Sequence, residues 1–212
     1  MRKTEANLFI IESLSFDDEQ KNRYEGRLLS QILHLGGKES AYCYIQTEDE
    51  LKKTLRLFEV SKYRYLHLSC HGNENSIYTT LDEIPFSKLG KLLKSYLRNK
   101  RLFISACSAV SDDLAKAVIP SSGCRSIMGP TIDVLYSDAA IIWASFYHLV
   151  FTKDPLRMKK RGILSAMRAV VETFGVPVDL YSKSESAKKG YKKTRIGRKS
   201  KISGERASKK KS

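Results

Sequence analysis

The chain has 212 residues and a hydrophobic fraction of 42%, which suits a single domain with a buried core. No apolar run reaches the roughly 18 residues that a membrane-spanning helix needs, and we expect no secretory signal in the N-terminal residues. The four cysteines show no metal-ligand spacing. These features argue against a membrane protein and a disulfide scaffold. They predict a cytoplasmic protein with free thiols and no bound metal.

The net charge of +15 is concentrated near the C-terminus. Residues 182–212 carry 13 Lys and Arg against two Glu, and they contain almost nothing apolar. Segments of this composition do not bury enough apolar surface to fold alone. The sequence therefore predicts one folded domain over 1–181, followed by a basic, disordered tail over 182–212.

Short apolar runs of strand length alternate with helical patterns along the first 181 residues. The predicted strands are 7–14, 41–45, 65–68, 101–105 and 124–128. The predicted helices cover 15–35, 47–58, 85–97 and 114–119, another begins near residue 137, and a last one follows Pro155. Ser15 with Asp18, and Thr47 with Glu50, have the spacing of helix-capping boxes. This alternation predicts an α/β fold with a mainly parallel central sheet and helices on both faces.

Two of these strands lead into chemically reactive side chains. The third predicted strand runs into His71 and the fourth into Cys107. The carboxyl ends of parallel strands meet at one sheet edge, where α/β active sites form, so we expect the two side chains to lie together. A thiolate nucleophile and a histidine that protonates the leaving amine are the groups of a cysteine protease. We therefore predict Cys107 as the nucleophile and His71 as its acid–base partner, and we expect a helix N-terminus after Cys107 to favour the thiolate.

The residues next to this pair receive other predicted roles. Gly72 has no Cβ, so its backbone can approach a substrate carbonyl, and the N–H groups of Gly72 and Cys107 are the predicted oxyanion hole. Strand alternation predicts that Cys70 faces away from the site. His67 lies inside the strand and is predicted to be a packed core histidine. A single cysteine at a strand end is more often a small buried hydrophobe, so the prediction depends on the His71–Cys107 pair.

Residues 66–72, which read Leu-His-Leu-Ser-Cys-His-Gly, resemble the His-Gly motif of caspase-like proteases. Residues 102–109, which read Leu-Phe-Ile-Ser-Ala-Cys-Ser-Ala, resemble the Ser-Ala-Cys motif of the same proteases. The resemblance is greatest to the CHAT group, and it covers roughly residues 5–175. It implies a three-layer caspase-hemoglobinase fold, endopeptidase activity on a protein substrate, a His71–Cys107 dyad and no cofactor. It also suggests a bacterial defence or regulated-proteolysis pathway.

The chain departs from this family in two respects. The Gln-Ala-Cys-x-Gly pattern of true caspases is absent, because Ser105 and Ala109 stand at its two ends. The large repeat or sensor domain of many CHAT proteins is also absent from these residues. Three alternatives follow: regulation by a separate regulatory or sensor protein, regulation by the tail, or no regulation.

The substrate preference is left open by the sequence. A basic residue at P1, the position before the scissile bond, needs a carboxylate at the floor of its pocket. Asp133 and Asp138, which follow the fifth predicted strand, are the candidates for binding such a substrate. Other members of the clan prefer apolar P1 residues, and nothing in the sequence excludes that preference.

Two other functions stay open beside the protease. A caspase-like fold can serve as a catalytically silent interaction module, although the presence of both His71 and Cys107 favours an enzyme. The Lys and Arg residues of the tail, residues 182–212, can neutralise the phosphates of a nucleic acid or another polyanion. Tyr191 is the only aromatic residue among them, so base stacking has little support.

Overall fold

A seven-stranded sheet lies at the centre of the computed structural model, which describes residues 4–198. The strands are, in chain order, β1 (Glu5–Glu12), β2 (Ser40–Tyr44), β3 (Tyr63–Ser69), β4 (His71–Gly72), β5 (Ser76–Tyr78), β6 (Glu83–Pro85), β7 (Arg101–Ser105), β8 (Ser126–Pro130), β9 (Val178–Lys183) and β10 (Tyr191–Ile196). The main sheet has the order β10-β9-β8-β7-β3-β1-β2, and β4, β5 and β6 form a small second sheet. Strands β2, β1, β3, β7 and β8 run parallel, whereas β9 and β10 are antiparallel to their neighbours.

Helices cover both faces of the main sheet. They are α1 (Phe16–Gln20), α2 (Glu25–Leu35), α3 (Glu48–Val60), α4 (Phe86–Leu93), α5 (Asp112–Ser122), α6 (Tyr136–Lys153) and α7 (Lys160–Phe174). Strand β1 shows the division: Phe9 and Ile11 pack in the core under α3, α4 and α5, whereas Leu8 and Ile10 pack in the core under α2, α6 and α7. The central strands are therefore apolar on both faces, as is typical of a parallel sheet between helices. The predicted α/β architecture is confirmed.

Within residues 4–198, no helix has both the length and the apolar composition to cross a membrane.

The helix predicted over 15–35 is two helices, α1 and α2. Ser15 caps α1 by accepting a hydrogen bond from the Asp18 N–H, as the capping pattern predicts. The helix then ends at Gln20, because Asn22 adopts a left-handed conformation with φ 53° and the Arg23 N–H turns back to the Asp18 carbonyl at 3.0 Å. The helical periodicity resumes only with α2. The single-helix prediction is therefore wrong at this break.

The main sheet continues into the segment that the sequence predicts as a disordered tail. Ser182 lies inside β9, which pairs with β8 on one side and with β10 on the other. Tyr181 is fully buried, and the buried carboxylate of Asp179 lies 2.7 Å from the Lys193 Nζ atom of β10. The predicted tail is therefore wrong for 182–198, and 199–212 lie outside the described residues. The Lys and Arg residues of β10 lie at an edge of the main sheet, where lysines discourage pairing with other strands.

We expect Tyr181→Ala to lower the free energy of unfolding by about 3–5 kcal/mol, because it deletes a fully buried aromatic ring that packs against Tyr191. Urea unfolding followed by circular dichroism measures this change. The control is Lys192→Ala, an exposed site on β10, which should change the same quantity by less than about 0.5 kcal/mol. Equal, small effects of both substitutions would show that the hairpin contributes nothing to the folded domain.

Candidate active site

The register between β3 and β7 brings the two predicted catalytic residues to the same edge of the sheet. The last paired residues are Ser69 and Ser105, and the Cys70 N–H then donates to the Ser105 carbonyl at 3.1 Å. His71 and Cys107 therefore leave the sheet at matching positions on neighbouring parallel strands. Both residues line one cavity beyond the carboxyl ends of these strands.

Gly72 lets the His71 segment pack closely against the turn that carries Cys107. A Cβ atom at Gly72 would lie 3.0 Å from the Cβ atoms of both Ala106 and Ala109, and 3.3 Å from the Cys107 carbonyl oxygen. Side chains rarely make contacts this short, so any larger residue would push the two segments apart. The role of the Gly72 and Cys107 N–H groups as an oxyanion hole stays a prediction.

Cys107 lies in a turn with an unusual backbone. Ser108 adopts φ 51°, which non-glycine residues seldom do. The Ser108 N–H donates to the Ile132 carbonyl at 3.5 Å, and its hydroxyl donates to Asp133 Oδ1 at 3.0 Å. The Cys107 thiol itself is half-buried and lies 3.8 Å from the Val134 carbonyl oxygen. The loop that follows β8 therefore holds the cysteine turn in place.

This turn also separates Cys107 from the next helix. Helix α5 begins only at Asp112, and Ser111 caps it by accepting from the Leu114 N–H. The left-handed residue Ser108 prevents a helix from starting directly after Cys107. The expected stabilisation of the thiolate by a helix N-terminus at Cys107 is therefore wrong.

A buried carboxylate that the sequence analysis did not assign to the site binds His71. Asp18 Oδ2 lies 2.7 Å from His71 Nε2 and accepts from the Tyr136 hydroxyl at 3.0 Å. Arg23 donates to Asp18 Oδ1 at 2.9 Å, and the Ser15 hydroxyl donates to Oδ2 at 2.6 Å. Burial opposes ionisation of Asp18, but these hydrogen bonds outweigh it and hold the pKa of its carboxyl well below the usual range.

These contacts define which nitrogen of His71 carries a hydrogen. Burial and the nearby Asp18 carboxylate raise the pKa of Tyr136, so its hydroxyl stays protonated and donates to Asp18. The ionised Asp18 is only an acceptor, so His71 Nε2 must be the donor in their 2.7 Å hydrogen bond. The Tyr136 oxygen, 2.8 Å from Nε2, can accept from the same N–H. Nδ1 is then the nitrogen of His71 that is available to exchange a proton with Cys107.

A second buried carboxylate, that of Glu25, lines the cavity with Cys107 and His71. Its Oε2 accepts from the Ser69 hydroxyl at 3.0 Å and from the Ser105 hydroxyl at 2.8 Å. Glu25 is the first residue of α2, which begins directly after the break in the predicted helix. The break therefore places two acids, Asp18 and Glu25, at the carboxyl edge of the sheet.

The predicted substrate-binding acids lie elsewhere. Asp133 is exposed and accepts the hydrogen bond from Ser108, and Asp138 is exposed in the first turn of α6. Neither lines the cavity, because the loop after β8 directs Val134 and Tyr136 to it instead. The role of Asp133 and Asp138 in binding a substrate stays a prediction.

Cys70 and His67 are the two other residues of β3 and its end for which the sequence predicts an orientation. Cys70 borders the cavity, contrary to the predicted orientation, because β3 ends at Ser69 and the strand alternation does not extend past it. Burial raises the pKa of the Cys70 thiol to about 12, which opposes its ionisation. His67 is fully buried and packs edge-on against Trp143, as predicted for a core histidine.

No model of a known protein family matches the sequence, and no curated protein sequence matches it. Similar solved structures include iotapain, a secreted C11 cysteine protease from Bacteroides thetaiotaomicron, at 12% identity and a TM-score of 0.52, covering 84% of this chain and 66% of that one. They also include the Saccharomyces cerevisiae separase–securin complex, at 18% identity and a TM-score of 0.46, covering 78% of this chain and 11% of that one.

At this level of identity, the likeness to iotapain bears on the fold alone. Iotapain is a protease of the caspase-like clan, and its likeness extends over 84% of this chain. The main sheet, with its parallel strands and two helical layers, is the architecture that the sequence motifs predict. The chain therefore has a caspase-like three-layer α/β fold.

We expect Asp18→Asn to lower the free energy of unfolding at pH 7, because the variant loses a carboxylate whose charged form is stabilised by four donors. The folded-state pKa of Asp18 is depressed, so its contribution is complete above the unfolded pKa of about 3.9 and is lost as pH falls further. The difference between wild type and variant should therefore shrink from pH 5 towards pH 3. Urea titrations at a series of pH values measure it, and a difference that grows on acidification would contradict this assignment.

Gly72→Ala should destabilise the domain by about 1–3 kcal/mol, because the added Cβ overpacks the contact with Ala106 and Ala109. Gly162→Ala is the matched control, since nothing lies within 4 Å of a Cβ at that position inside α7. The control should gain up to about 1 kcal/mol from the higher helix propensity of alanine. Thermal unfolding compares the two variants. If Gly72→Ala were as stable as wild type, the close packing of the two segments would be refuted.

Proposed function

We propose that the chain is a cysteine endopeptidase in which His71 and Cys107 form the catalytic dyad. The observation that carries this proposal is the shared cavity of the two residues at the ends of neighbouring parallel strands. The hydrogen bond from His71 Nε2 to the buried Asp18 adds to it, because it holds the imidazole and leaves Nδ1 as the nitrogen that is available to exchange a proton.

The first half of the proposed reaction acylates the enzyme. His71 Nδ1 takes the thiol proton of Cys107, and the sulfur attacks the carbonyl carbon of the scissile peptide bond. The electron pair of the carbonyl moves to its oxygen, and the N–H groups of Gly72 and Cys107 donate to this oxyanion. When the tetrahedral intermediate collapses, the C–N bond breaks and the His71 imidazolium gives its proton to the departing amine.

The second half releases the acyl group. A water molecule gives a proton to His71 and adds to the thioester carbonyl carbon. The C–S bond then breaks, the proton on His71 returns to the Cys107 sulfur, and the carboxylic acid product leaves and gives its remaining proton to solvent. Atoms balance with one water consumed per peptide bond, and no redox partner is needed.

Asp18 and Tyr136 act in this scheme as positioning residues. Neither touches the peptide bond, but their contacts with Nε2 fix the tautomer and the orientation of His71. Removing Asp18 should therefore lower activity without abolishing it.

The assignment to one group of proteases, and to a substrate and a pathway, rests on the motif resemblance. We place the protein with the CHAT group of caspase-like proteases, acting on a protein substrate in the cytoplasm under a separate regulatory partner. A role in bacterial defence or regulated proteolysis follows from the same resemblance. The two motifs around His71 and Cys107 support this placement.

The test of the dyad is a set of three variants assayed on a peptide library. Cys107→Ser should fold normally and lose essentially all cleavage, because a serine hydroxyl lacks thiolate character. His71→Ala should also be inactive towards peptides. The control is Cys43→Ala, which removes a half-buried thiol of β2 and should keep wild-type activity.

Cleavage of the library is read by mass spectrometry, which also reports the bond that is cut. Labelling by iodoacetamide, read in the same way, reports whether the Cys107 thiol is accessible. Wild-type cleavage by Cys107→Ser would show that the nucleophile is another residue. Wild-type cleavage by His71→Ala would remove the acid–base partner from the proposal.

A further inference from the structure

The edge of the main sheet opposite the candidate active site is strongly basic. Strands β2, β3, β7 and β8 begin at this amino edge, which lies about 20 Å from the carboxyl edge along β3. Twelve Lys and Arg residues, against two acids, occupy the segments that lead into these strands and the turn between α6 and α7, namely residues 36–39, 61–64, 94–100, 123–125 and 153–161. No salt bridge within residues 4–198 involves any of these twelve cations.

The turn between α6 and α7 is held against the strand ends at this edge. The Lys38 Nζ atom donates to the Pro155 carbonyl at 2.9 Å, and the Arg64 guanidinium donates to the Leu156 carbonyl at 3.3 Å. Burial and the neighbouring Arg64 cation lower the pKa of Lys38. Cations from three separate segments therefore share one positive patch, which we name the basic edge: Lys38, Arg64, Lys153, Arg157, Lys159, Lys160 and Arg161.

The helix dipole accounts for some of these cations but not for those at the start of α7. Lys153 lies in the last turn of α6, where a helix C-terminus favours positive charge. Lys159, Lys160 and Arg161 lie at the N-terminal end of α7, where the dipole repels a cation. The first turn of α7 contains no acid, and its N-cap residue makes no side-chain capping hydrogen bond. These three cations oppose local stability, and such departures are typical of functional surfaces.

Two exposed leucines lie among these cations. Leu156, in the turn between α6 and α7, is 72% exposed, and Leu35, the last residue of α2, is 88% exposed. Their neighbours in the chain, Pro155 and Gly36, line one cavity together, so the two leucines lie on the same part of the surface. A single exposed leucine is common, but two leucines beside unneutralised cations form a surface that is both apolar and positive.

This combination fits an anionic lipid bilayer better than it fits a nucleic acid. Anionic headgroups attract Lys and Arg side chains, and the acyl boundary beneath the headgroups accepts aliphatic side chains. A nucleic acid also supplies phosphates, but its bases stack on aromatic rings, and the basic edge surrounds aliphatic side chains instead. The cytoplasmic leaflet carries anionic lipids, which agrees with the location expected from the sequence.

From these observations, we propose that the basic edge docks on the surface of an anionic lipid bilayer, with the side chains of Leu156 and Leu35 inserted among the headgroups. The contact is peripheral and needs no membrane-spanning helix. It does not depend on the proposed peptidase activity. In this orientation the carboxyl edge, with His71 and Cys107, faces away from the bilayer and stays open to a protein in the surrounding solution.

The first experiment measures the sedimentation of the full chain with phosphatidylcholine vesicles that contain or lack phosphatidylglycerol. Wild type should bind only the anionic vesicles, and less tightly as salt rises. The combined substitutions Lys159→Gln, Lys160→Gln and Arg161→Gln should weaken this binding roughly 100-fold, because three cations at the contact are lost. The matched control replaces three exposed cations elsewhere with Gln and should stay within about threefold of wild type: Lys116, Arg168 and Lys192.

Stability separates this role from a structural one. The triple variant at the start of α7 should unfold at the same free energy as wild type or a slightly higher one, because the helix dipole no longer repels three cations. Urea unfolding measures this change. If the folded triple variant bound anionic vesicles as tightly as wild type, the basic edge would not be the docking surface, and the proposal would be overturned.

Insertion of the leucines is tested with a fluorescent reporter in place of Leu156. The sequence has one tryptophan, Trp143, which is buried, so Leu156→Trp adds an exposed one at the tip of the turn. On anionic vesicles its emission should shift to shorter wavelength, and lipids with brominated acyl chains should quench it. Leu135→Trp is the matched control, because Leu135 is 71% exposed but lies at the carboxyl edge, and it should show neither change. Equal behaviour of the two reporters would overturn the proposed orientation, even if the triple variant failed to fold.

A nucleic acid is the competing partner in the last measurement. Leu156→Ser should weaken binding to anionic vesicles roughly tenfold, because an aliphatic side chain no longer leaves water, whereas Leu135→Ser should not. A short DNA duplex at the same salt concentration replaces the vesicles in a parallel titration. If the chain bound the duplex through Lys159, Lys160 and Arg161 but did not bind anionic vesicles, the basic edge would be a nucleic-acid surface and the bilayer proposal would be refuted.

Discussion

The burial of the Asp18 and Glu25 carboxylates at one edge of the sheet is the constraint on which the rest of the site depends. Removing an ionised carboxylate from water costs several kcal/mol, so each buried acid requires dedicated donors. Asp18 has them in Ser15, Arg23, Tyr136 and His71. Glu25 has two serine hydroxyls and the N-terminal position of α2, where the helix dipole favours negative charge. The break between α1 and α2 is what allows one short segment to place both acids here.

The parallel character of the central sheet and the meeting of His71 and Cys107 at one of its edges could be predicted from the sequence, because both follow from local patterns. Apolar runs of strand length, separated by helices, leave few alternatives to a parallel sheet, and residues that follow such runs gather at one edge. Asp18 could not be predicted in the same way, because its position three residues after Ser15 already has a local explanation in helix capping. Glu25 could not be predicted either, because a single helix over 15–35 gives no reason for its burial, and only the left-handed Asn22 shows the break. The one available signal was that a helix over 15–35 would be unusually rich in acids at its start.

The hairpin of β9 and β10 was missed for a different physical reason. Composition averages over a segment, whereas a strand at the edge of a sheet needs only a few of its residues to be buried. In β10 these are the two end residues, Tyr191 in the core on one face of the sheet and Ile196 in the core on the other, while Lys192 and Arg195 are exposed, so a basic segment still completes the sheet. The buried Asp179 gives one of these lysines, Lys193, a structural role. Charge in this segment therefore reflects the edge of the fold as well as any affinity for polyanions.

The charge balance around Cys107 explains why Asp18 matters to the proposed chemistry. An anionic sulfur here receives no help from α5, which begins only at Asp112, and the carboxylate of Glu25 in the same cavity opposes it. Among the cavity-lining residues within 4–198, His71 is the one that can become a cation. In the proposed mechanism, the thiolate therefore forms as an ion pair with the His71 imidazolium, whose Nε2 donates to Asp18 at 2.7 Å. The proposed nucleophile thus depends on a carboxylate that it does not touch, and the broken helix that supplies this carboxylate belongs to the candidate site as much as the two strand ends do.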